Sequence, residues 1–542
     1  MRLDYIVKKN ARSKQDKVAL VDVMAGEKFI TYGEYNQKCI NFANYVINDF
    51  KINPDERIAL LLENSIEICV AYYSIPKTSA ITVPLNFFMA KRELEYCIND
   101  CKPVMLIYGN NFADDINYYK ENCPSIKEYI SEQRFNELCQ KPFEGKRLKP
   151  PRRLYEEDIA FIAYTGGTTG FPKGVMLTHA GLFNNMMSSG ESVIESIHED
   201  SNILKKDALD MLEHTILIPI PIFHLAAMLV FLMSSFVGYT IYLHKGFKAD
   251  KVVKSIDKYK INHLACVPTN IISLLEFLES DRGGDYDLSS LTALTYGAAP
   301  ISPTVLSKIM ELLPNTKFRQ AYGQTEYSPV ITQLTSEDHE LAKKYNEILK
   351  SGGRPQYGTE VIIVDKSGNF LPKGEIGEVI ASGKSIMRGY WNKEKLTQKT
   401  IRKINGKNWL FTGDIGYIKE INGKDYLFLT DRAKDMIVSG GENIYPKEIE
   451  NVIYQLDGVK MCAVIGVPSE KWGETVVALI VPKEGANLKG EQIIEYCGEH
   501  LAGYKKPKEV IFRDDLPVSA QGKILKRALK DEFWKGKDRR IH

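Results

Sequence analysis

A loop suited to gripping an anion constrains this chain more than any other feature. Residues 164–174 read Tyr-Thr-Gly-Gly-Thr-Thr-Gly-Phe-Pro-Lys-Gly and follow an apolar run at 159–163. Glycines let several backbone N–H groups turn toward one centre and approach it closely. Thr165, Thr168 and Thr169 add hydroxyl donors, and Lys173 adds a fixed positive charge. A polyphosphate requires that set of groups. On its own, a Gly/Thr stretch also reads as a surface hairpin.

The loop is not a Walker loop, because no G-x-x-x-x-G-K-[ST] occurs. Residues 377–385 end in Gly383-Lys384-Ser385, but the first glycine stands one position too far away, so they read as a turn. No G-x-G-x-x-G follows a strand, which argues against a nicotinamide dehydrogenase.

A chain of 542 residues is too long for one core and implies two or more domains. With 44% hydrophobic and 26% charged residues it has the composition of a globular protein, and its net charge of +2 gives no field favouring nucleic acid or an anionic membrane. The nine cysteines lack paired metal spacing. Cys97 and Cys101 would share a helix face, but two ligands do not make a zinc site. Reduced structural thiols and a cytoplasmic location are the expectation. Charges in residues 1–10 leave no apolar core for a signal peptide. Residues 216–243 are apolar but interrupted by Pro219, Pro221 and His224. The clean part, 225–240, spans only ~24 Å as a helix, short of a ~30 Å hydrocarbon core. It is expected to be a buried helix, with no transmembrane segment.

Helical and extended segments alternate up to about residue 430, the pattern of an α/β domain. Residues 40–47 read as helical, 57–62 and 291–296 as extended, and the polar 337–350 as a surface helix. Residues 360–364 and 377–381 read as strands of a smaller barrel-like subdomain. Asn405-Gly406 and Asn422-Gly423 mark hairpin turns. A second unit begins near Asp431. Pro446 opens a helix carrying Ile449, Val452, Ile453 and Leu456 at helical spacing. Extended runs at 461–467 and 476–481 and a helix at 492–501 complete a small α+β unit.

The loop's order, aromatic-Thr-x-Gly-Thr-Thr-Gly-x-Pro-Lys-Gly, resembles the phosphate loop of the adenylate-forming superfamily, its acyl-CoA synthetase branch in particular. One departure is Gly166, where the family usually has Ser. Six further segments match in the same order and together cover most of the chain. Pro221-Ile222-Phe223-His224 resembles the aromatic-His gate, and Tyr296-Gly297-Ala298-Ala299-Pro300 the turn flanking adenine. Ala321-Tyr322-Gly323-Gln324-Thr325-Glu326 resembles the signature meeting adenine, α-phosphate and metal. Thr412-Gly413-Asp414 resembles the ribose clamp, Asp431-Arg432-Ala433-Lys434-Asp435 the hinge, and Gln521-Gly522-Lys523-Ile524 the C-terminal catalytic lysine motif.

The resemblance implies an α/β fold: a large multi-subdomain N-terminal domain, 1–430, that binds ATP and the acyl group, and a small mobile α+β lid, 431–542, hinged near 432–435. It implies ATP, Mg²⁺ and coenzyme A as partners of a small carboxylic acid, with a homodimer as a candidate assembly. The phosphates fall to Thr165, Gly166, Gly167, Thr168, Thr169, Gly170 and Lys173; the nucleotide to Gly297, Ala298, Ala299, Tyr322, Gly323, Thr325, Asp414 and Arg432. Tyr322 offers a flat face to a purine, Asp414 accepts from ribose hydroxyls, and Glu326 suits Mg²⁺. Lys523 is implied to reach the carboxylate and α-phosphate, His224 to gate the thiol channel, Lys434 to be the pivot, and Gly441 to give room to pantetheine.

Such an enzyme makes an acyl-adenylate and passes the acyl group to a thiol. A carboxylate is already ionised at neutral pH, so no general base is required. Gly323, where the acetate-specific branch has Trp, is read as an open pocket floor. The apolar 225–237 segment is read as the wall of a tunnel. About ten methylenes buried at ~0.8 kcal/mol each favour a medium- to long-chain fatty acid. The alternatives are an aryl acid and an acyl-AMP ligase loading a carrier protein.

Overall fold

In the computed structural model, residues 1–142, 154–165, 172–198, 214–299, 301–432, 435–439, 442–469, 472–519 and 524–535 are described. Two large sheets form the body. The first has seven strands, in the order Gly389–Tyr390, Lys173–Thr178, Ile159–Thr165, Ile81–Pro84, Arg57–Leu61, Met105–Tyr108 and Glu128–Ser131. Its four neighbours from Ile81–Pro84 to Glu128–Ser131 run parallel, and short Val/Ile/Leu-rich strands of this kind are buried on both faces. The second has nine strands, in the order Arg354–Pro355, Val330–Leu334, Lys317–Gly323, Ala293–Gly297, His263–Cys266, Thr215–Ile218, Thr240–Leu243, Val18–Asp22 and Lys28–Thr31.

The main core lies between these sheets. It joins Ile58 and Leu60 of the first to Ile216, Ile218 and Ile241 of the second through the helices Tyr32–Asn48, Ile66–Ser74 and Leu225–Val237. Tyr72 is edge-on to Phe161 at 5.3 Å and to Phe231 at 6.0 Å, filling the space with rings. The apolar segment that was the one membrane suspect is therefore a core helix, closed by Gly238 at φ 87°. No helix among the described residues is long and apolar enough to cross a membrane.

A five-stranded antiparallel sheet holds Glu360–Val364, Gly377–Ser382, Ile401–Ile404, Lys407–Ile421 and Lys424–Arg432. Asn405-Gly406 and Asn422-Gly423 turn its hairpins with positive φ at all four residues, as expected. A fourth sheet, Glu442–Ile444, Ile437–Ser439, Gly473–Pro482, Val459–Ser469 and Glu509–Phe512, carries the helices Pro446–Ile453 and Gly490–His500 on its own core. Two exposed ion pairs bridge this sheet's surroundings to the body: Lys308–Asp457 at 4.0 Å and Lys460–Glu276 at 3.7 Å.

The expected surface helix at 337–350 is not one element. A helix Ser336–Leu341 gives way to a tighter turn at Asn346–Lys350, and Asp338, His339, Ile348 and Leu349 are buried. Asp338 accepts from Tyr426 Oη at 2.7 Å and Arg354 Nε at 3.1 Å, which ties the five-stranded sheet to the nine-stranded one. A polar pattern misleads here because its charges are spent inward. All nine cysteines are buried and reduced, as expected, and burial pushes the Cys101 thiol up to about 12.

Buried histidines make stability pH-dependent, His179 and His244 among them. His179 accepts from Leu3 N–H at 3.3 Å, and His244 shares a 3.0 Å hydrogen bond with Ser255. Burial pulls each down to about 4, from an ordinary 6.5. A depressed pKa means that the unfolded chain binds more protons between those values. Stability is then full above pH 6.5 and falls toward pH 4, by roughly 1.4 kcal/mol per pH unit per ring. Urea unfolding at pH 7, 6 and 5 is expected to show this loss, and His244→Gln to lessen it by one ring's share; an unchanged midpoint over that window contradicts it.

Candidate active site

Three sheets converge on residues 322–326. The strand Lys317–Gly323 leaves the nine-stranded sheet through Gln324 into a turn at Thr325–Tyr327. A Cβ at Gly323 would lie 2.0 Å from the Pro329 carbonyl oxygen, so only glycine lets these two segments close. This corrects the reading of Gly323 as an open floor. The space where a side chain would start is filled by backbone, and the missing side chain opens nothing in that direction.

Tyr322 Oη donates to Asp414 Oδ2 at 2.7 Å, joining the nine-stranded sheet to the five-stranded one. Asp414 is buried, and its N–H donates to Thr412 Oγ1 at 3.1 Å. Gly413, at φ 72°, sends its N–H to Glu378 Oε1 at 3.0 Å. Asp414 also stands opposite Arg432 in the ladder. The bond orients both Tyr322 and Asp414, the two groups expected to meet adenine and ribose.

Glu326 is held from the seven-stranded sheet. Tyr390 Oη donates to Glu326 Oε1 at 2.7 Å, and Met387 N–H donates to the Glu326 carbonyl at 2.8 Å. Burial, reinforced by the Glu326 charge, pushes the Tyr390 phenol up, so it stays a donor. Lys173 Nζ stands 5.5 Å from the centre of the Tyr390 ring. Lys173 and Thr165 are register partners at the mouth of the antiparallel hairpin, and Thr165 Oγ1 is 3.5 Å from the Lys173 carbonyl. Tyr164 anchors the same end by donating to Asp100 Oδ2 at 2.6 Å. Gly166, Gly167, Thr168, Thr169 and Gly170, which this hairpin joins, lie outside the described residues, as do Lys434, Gly441 and Lys523.

Gly297 pairs with Ala321 on the neighbouring strand, and Ala298 follows in a left-handed conformation at φ 69°, with Ala299 next along the chain. That reversal places the expected adenine-flanking turn beside the Tyr322 segment. His224 stands apart, at the start of the helix Leu225–Val237. Burial alone lowers it to about 4, so the ring is neutral at pH 7. Its neighbour Phe223 packs edge-on against Phe87 at 5.0 Å.

Tyr390 and Asp100 were missed. A tyrosine in Gly-Tyr-Trp and an aspartate at a helix end carry no chemical signal in sequence; only the fold puts them against Glu326 and Tyr164. Among the described residues no three His, Cys, Asp or Glu side chains cluster to hold a metal. A cation at Glu326 would then need phosphate oxygens as further ligands, which is how Mg²⁺ is usually held.

Residues 7–391 match the AMP-binding enzyme model and residues 448–523 match the AMP-binding enzyme C-terminal domain. A feruloyl-CoA synthase of Amycolatopsis sp is 32% identical over 513 residues, covering 94% of this chain and 95% of that one. The long-chain-fatty-acid–CoA ligase FadD13 of Mycobacterium tuberculosis is 34% identical over 508 residues, covering 93% of each. The crystal structure of ATP-bound MatB from Rhodopseudomonas palustris superposes with a TM-score of 0.82 at 25% identity, covering 99% of each chain. The chain belongs to the AMP-binding enzymes, the family of AMP-forming acyl-CoA ligases.

Removing the Tyr322 hydroxyl tests the junction. Tyr322→Phe deletes one hydrogen bond to a carboxylate, worth about 1.5–3 kcal/mol. The KM for ATP is expected to rise roughly 10-fold or more, with thermal stability lowered by the loss of the bond to a buried carboxylate. An unaltered KM contradicts a nucleotide role for this pair.

Proposed function

We propose that this ligase activates a medium- to long-chain fatty acid as its acyl-adenylate and transfers the acyl group to coenzyme A, releasing AMP and pyrophosphate. The observation that carries the choice of acid is the helix Leu225–Val237. It is apolar but for Ser234 and Ser235, and Ala226, Val230, Met233 and Val237, at helical spacing, are half-buried while most of its other positions are buried. A half-buried apolar stripe in a core is a wall awaiting an alkyl chain. The 34% identity to FadD13 supports the same reading. The 32% identity to a feruloyl-CoA synthase favours a second one, an aryl acid against the same wall.

The acid's carboxylate attacks the α-phosphorus, an acyl–O–P bond forms, and the bond to pyrophosphate breaks. Both reactants are anions, so the protein's work is placement and charge dispersal. In this reading Tyr322 and the turn at Gly297, Ala298 and Ala299 bracket adenine, Asp414 and Arg432 take the ribose, and Thr325 donates to the α-phosphate. Lys173, Thr165 and the loop residues 166–170 hold the remaining phosphates. Glu326, kept in place by Tyr390, would hold Mg²⁺, which neutralises phosphate charge when bound. Lys523 donates to the carboxylate and α-phosphate. A thiol then attacks the acyl carbon and AMP leaves. His224, neutral and mounted beside Phe223, gates that approach, and Gly441 leaves room for the thiol arm. The boundary between the units falls at 430/431, with the hinge at 432–435 and Lys434 as pivot.

Acid-dependent ATP–pyrophosphate exchange across fatty and aryl acids of graded length tests the acid. Exchange is expected to be strongest with medium and long alkyl chains; preference for aryl acids overturns the first reading in favour of the second. Lys523→Ala is expected to slow adenylate formation by ~10²–10³ while thioester formation from supplied acyl-adenylate stays near wild type. Lys434→Pro is expected to do the reverse. Equal damage to both half-reactions in either variant contradicts its assigned role.

A further inference from the structure

One charged group within the body has no use in the chemistry above. Arg319 lies on the strand Lys317–Gly323, two residues before Ala321, so both side chains leave the same face of the nine-stranded sheet. Ala321 packs against the core cluster that contains the helix Leu225–Val237. Arg319 is paired in register with Thr295, and Thr295 Oγ1 is hydrogen-bonded to His263 Nε2 at 2.8 Å on the next strand. On one face of the sheet these three residues make a polar cluster.

Arg319 is half-buried, and among the described residues its guanidinium is in no ion pair or hydrogen bond; Tyr239 and His263 are titratable groups that its charge acts on. Burial pulls Arg319 below its ordinary range, and it also holds the neighbouring His263 neutral. An arginine nevertheless stays charged at neutral pH, and a cation partly withdrawn from water without a counter-charge carries a desolvation cost. Such a residue is retained where its partner arrives with a ligand.

Its position says which part of the ligand. Arg319 is four residues back from Gly323, roughly 13 Å along the strand from the segment expected to hold the adenylate. The helix gives the same axis: His224 precedes its first residue, while Tyr239, which senses the Arg319 charge, follows its last by one glycine.

We propose that Arg319, with Thr295 and His263, reads the far end of the acid, and that the preferred substrate carries an oxygen acceptor there, best a second carboxylate, rather than a plain methyl terminus. This rests on the acid-activating reading above and sharpens it, replacing a plain fatty acid by an ω-oxygenated one. Neither Arg319 nor its neighbours touch the reacting atoms; they select.

The test is ATP–pyrophosphate exchange by the full-length enzyme with decanoate, ω-hydroxydecanoate and decanedioate, together with the eight- and twelve-carbon analogues. The kcat/KM for the best dicarboxylate is expected to exceed that for its monocarboxylate about 10- to 100-fold, the value of a hydrogen bond to a charged group. Arg319→Met should erase that ratio while leaving the monocarboxylate rate within a few-fold, and Arg319→Lys should keep part of it. Equal or poorer use of every ω-oxygenated acid by the wild-type enzyme, with decanoate active, overturns this inference and leaves fatty-acid activation standing. A ratio unchanged in Arg319→Met overturns the residue assignment. If no acid in any series supports exchange, both readings fall. Should Arg319→Met not fold, the wild-type ratio and Arg319→Lys decide.

Discussion

Two carboxylate–phenol hydrogen bonds, Tyr322 to Asp414 and Tyr390 to Glu326, hold the candidate site together, because each crosses from one sheet to another. Neither pair is close in sequence, and each carboxylate would be costly to bury without its donor. Bonds to charged groups of this kind contribute about 1.5–3 kcal/mol each, enough to fix a rotamer. The strand end between them has no slack, since backbone fills the place where a Gly323 side chain would begin. Groups expected to touch adenine, ribose and metal are thus set relative to one another by the scaffold before any ligand binds, which is the condition for electrostatic preorganisation.

The elements that sequence anticipated are those in which local chemistry and tertiary fate agree. The strand Arg57–Leu61, the hairpins at Asn405-Gly406 and Asn422-Gly423 and the proline-initiated helix Pro446–Ile453 each carry a signal that no neighbour has to supply. The motif residues were legible for the same reason: a glycine-rich turn or a Thr-Gly-Asp announces its backbone. Three things were not legible. The 337–350 segment looks like solvent-facing polarity, yet Asp338 and His339 are buried against Arg354, Tyr426 and Tyr296, partners visible only after folding. Gly323 reads as an absent side chain, and only coordinates show that the position forbids one. Tyr390 and Asp100 matter through what they touch, and sequence does not give distances.

The body's chemistry is divided along one helix. At its start stands a neutral histidine beside aromatic rings packed edge-on; past its end lie Tyr239 and the charge of Arg319. Between them the helix is apolar but for Ser234 and Ser235. A linear acid laid along it would meet polarity at both ends and hydrocarbon in the middle, a pattern that measures a molecule by its ends as well as its bulk. Alkyl burial alone discriminates weakly between neighbouring lengths, at ~1–3 kcal/mol per group.

The ion pairs Lys308–Asp457 and Lys460–Glu276 have a consequence for how the two parts of the molecule share their work. Both are solvent-exposed, at 4.0 and 3.7 Å, and pairs of that kind are worth at most about 1 kcal/mol and fade as electrolyte is added. Beside them Lys447 Nζ donates to the Leu429 carbonyl at 3.2 Å, so added electrolyte loosens the charged part of this seam and leaves its backbone contact in place.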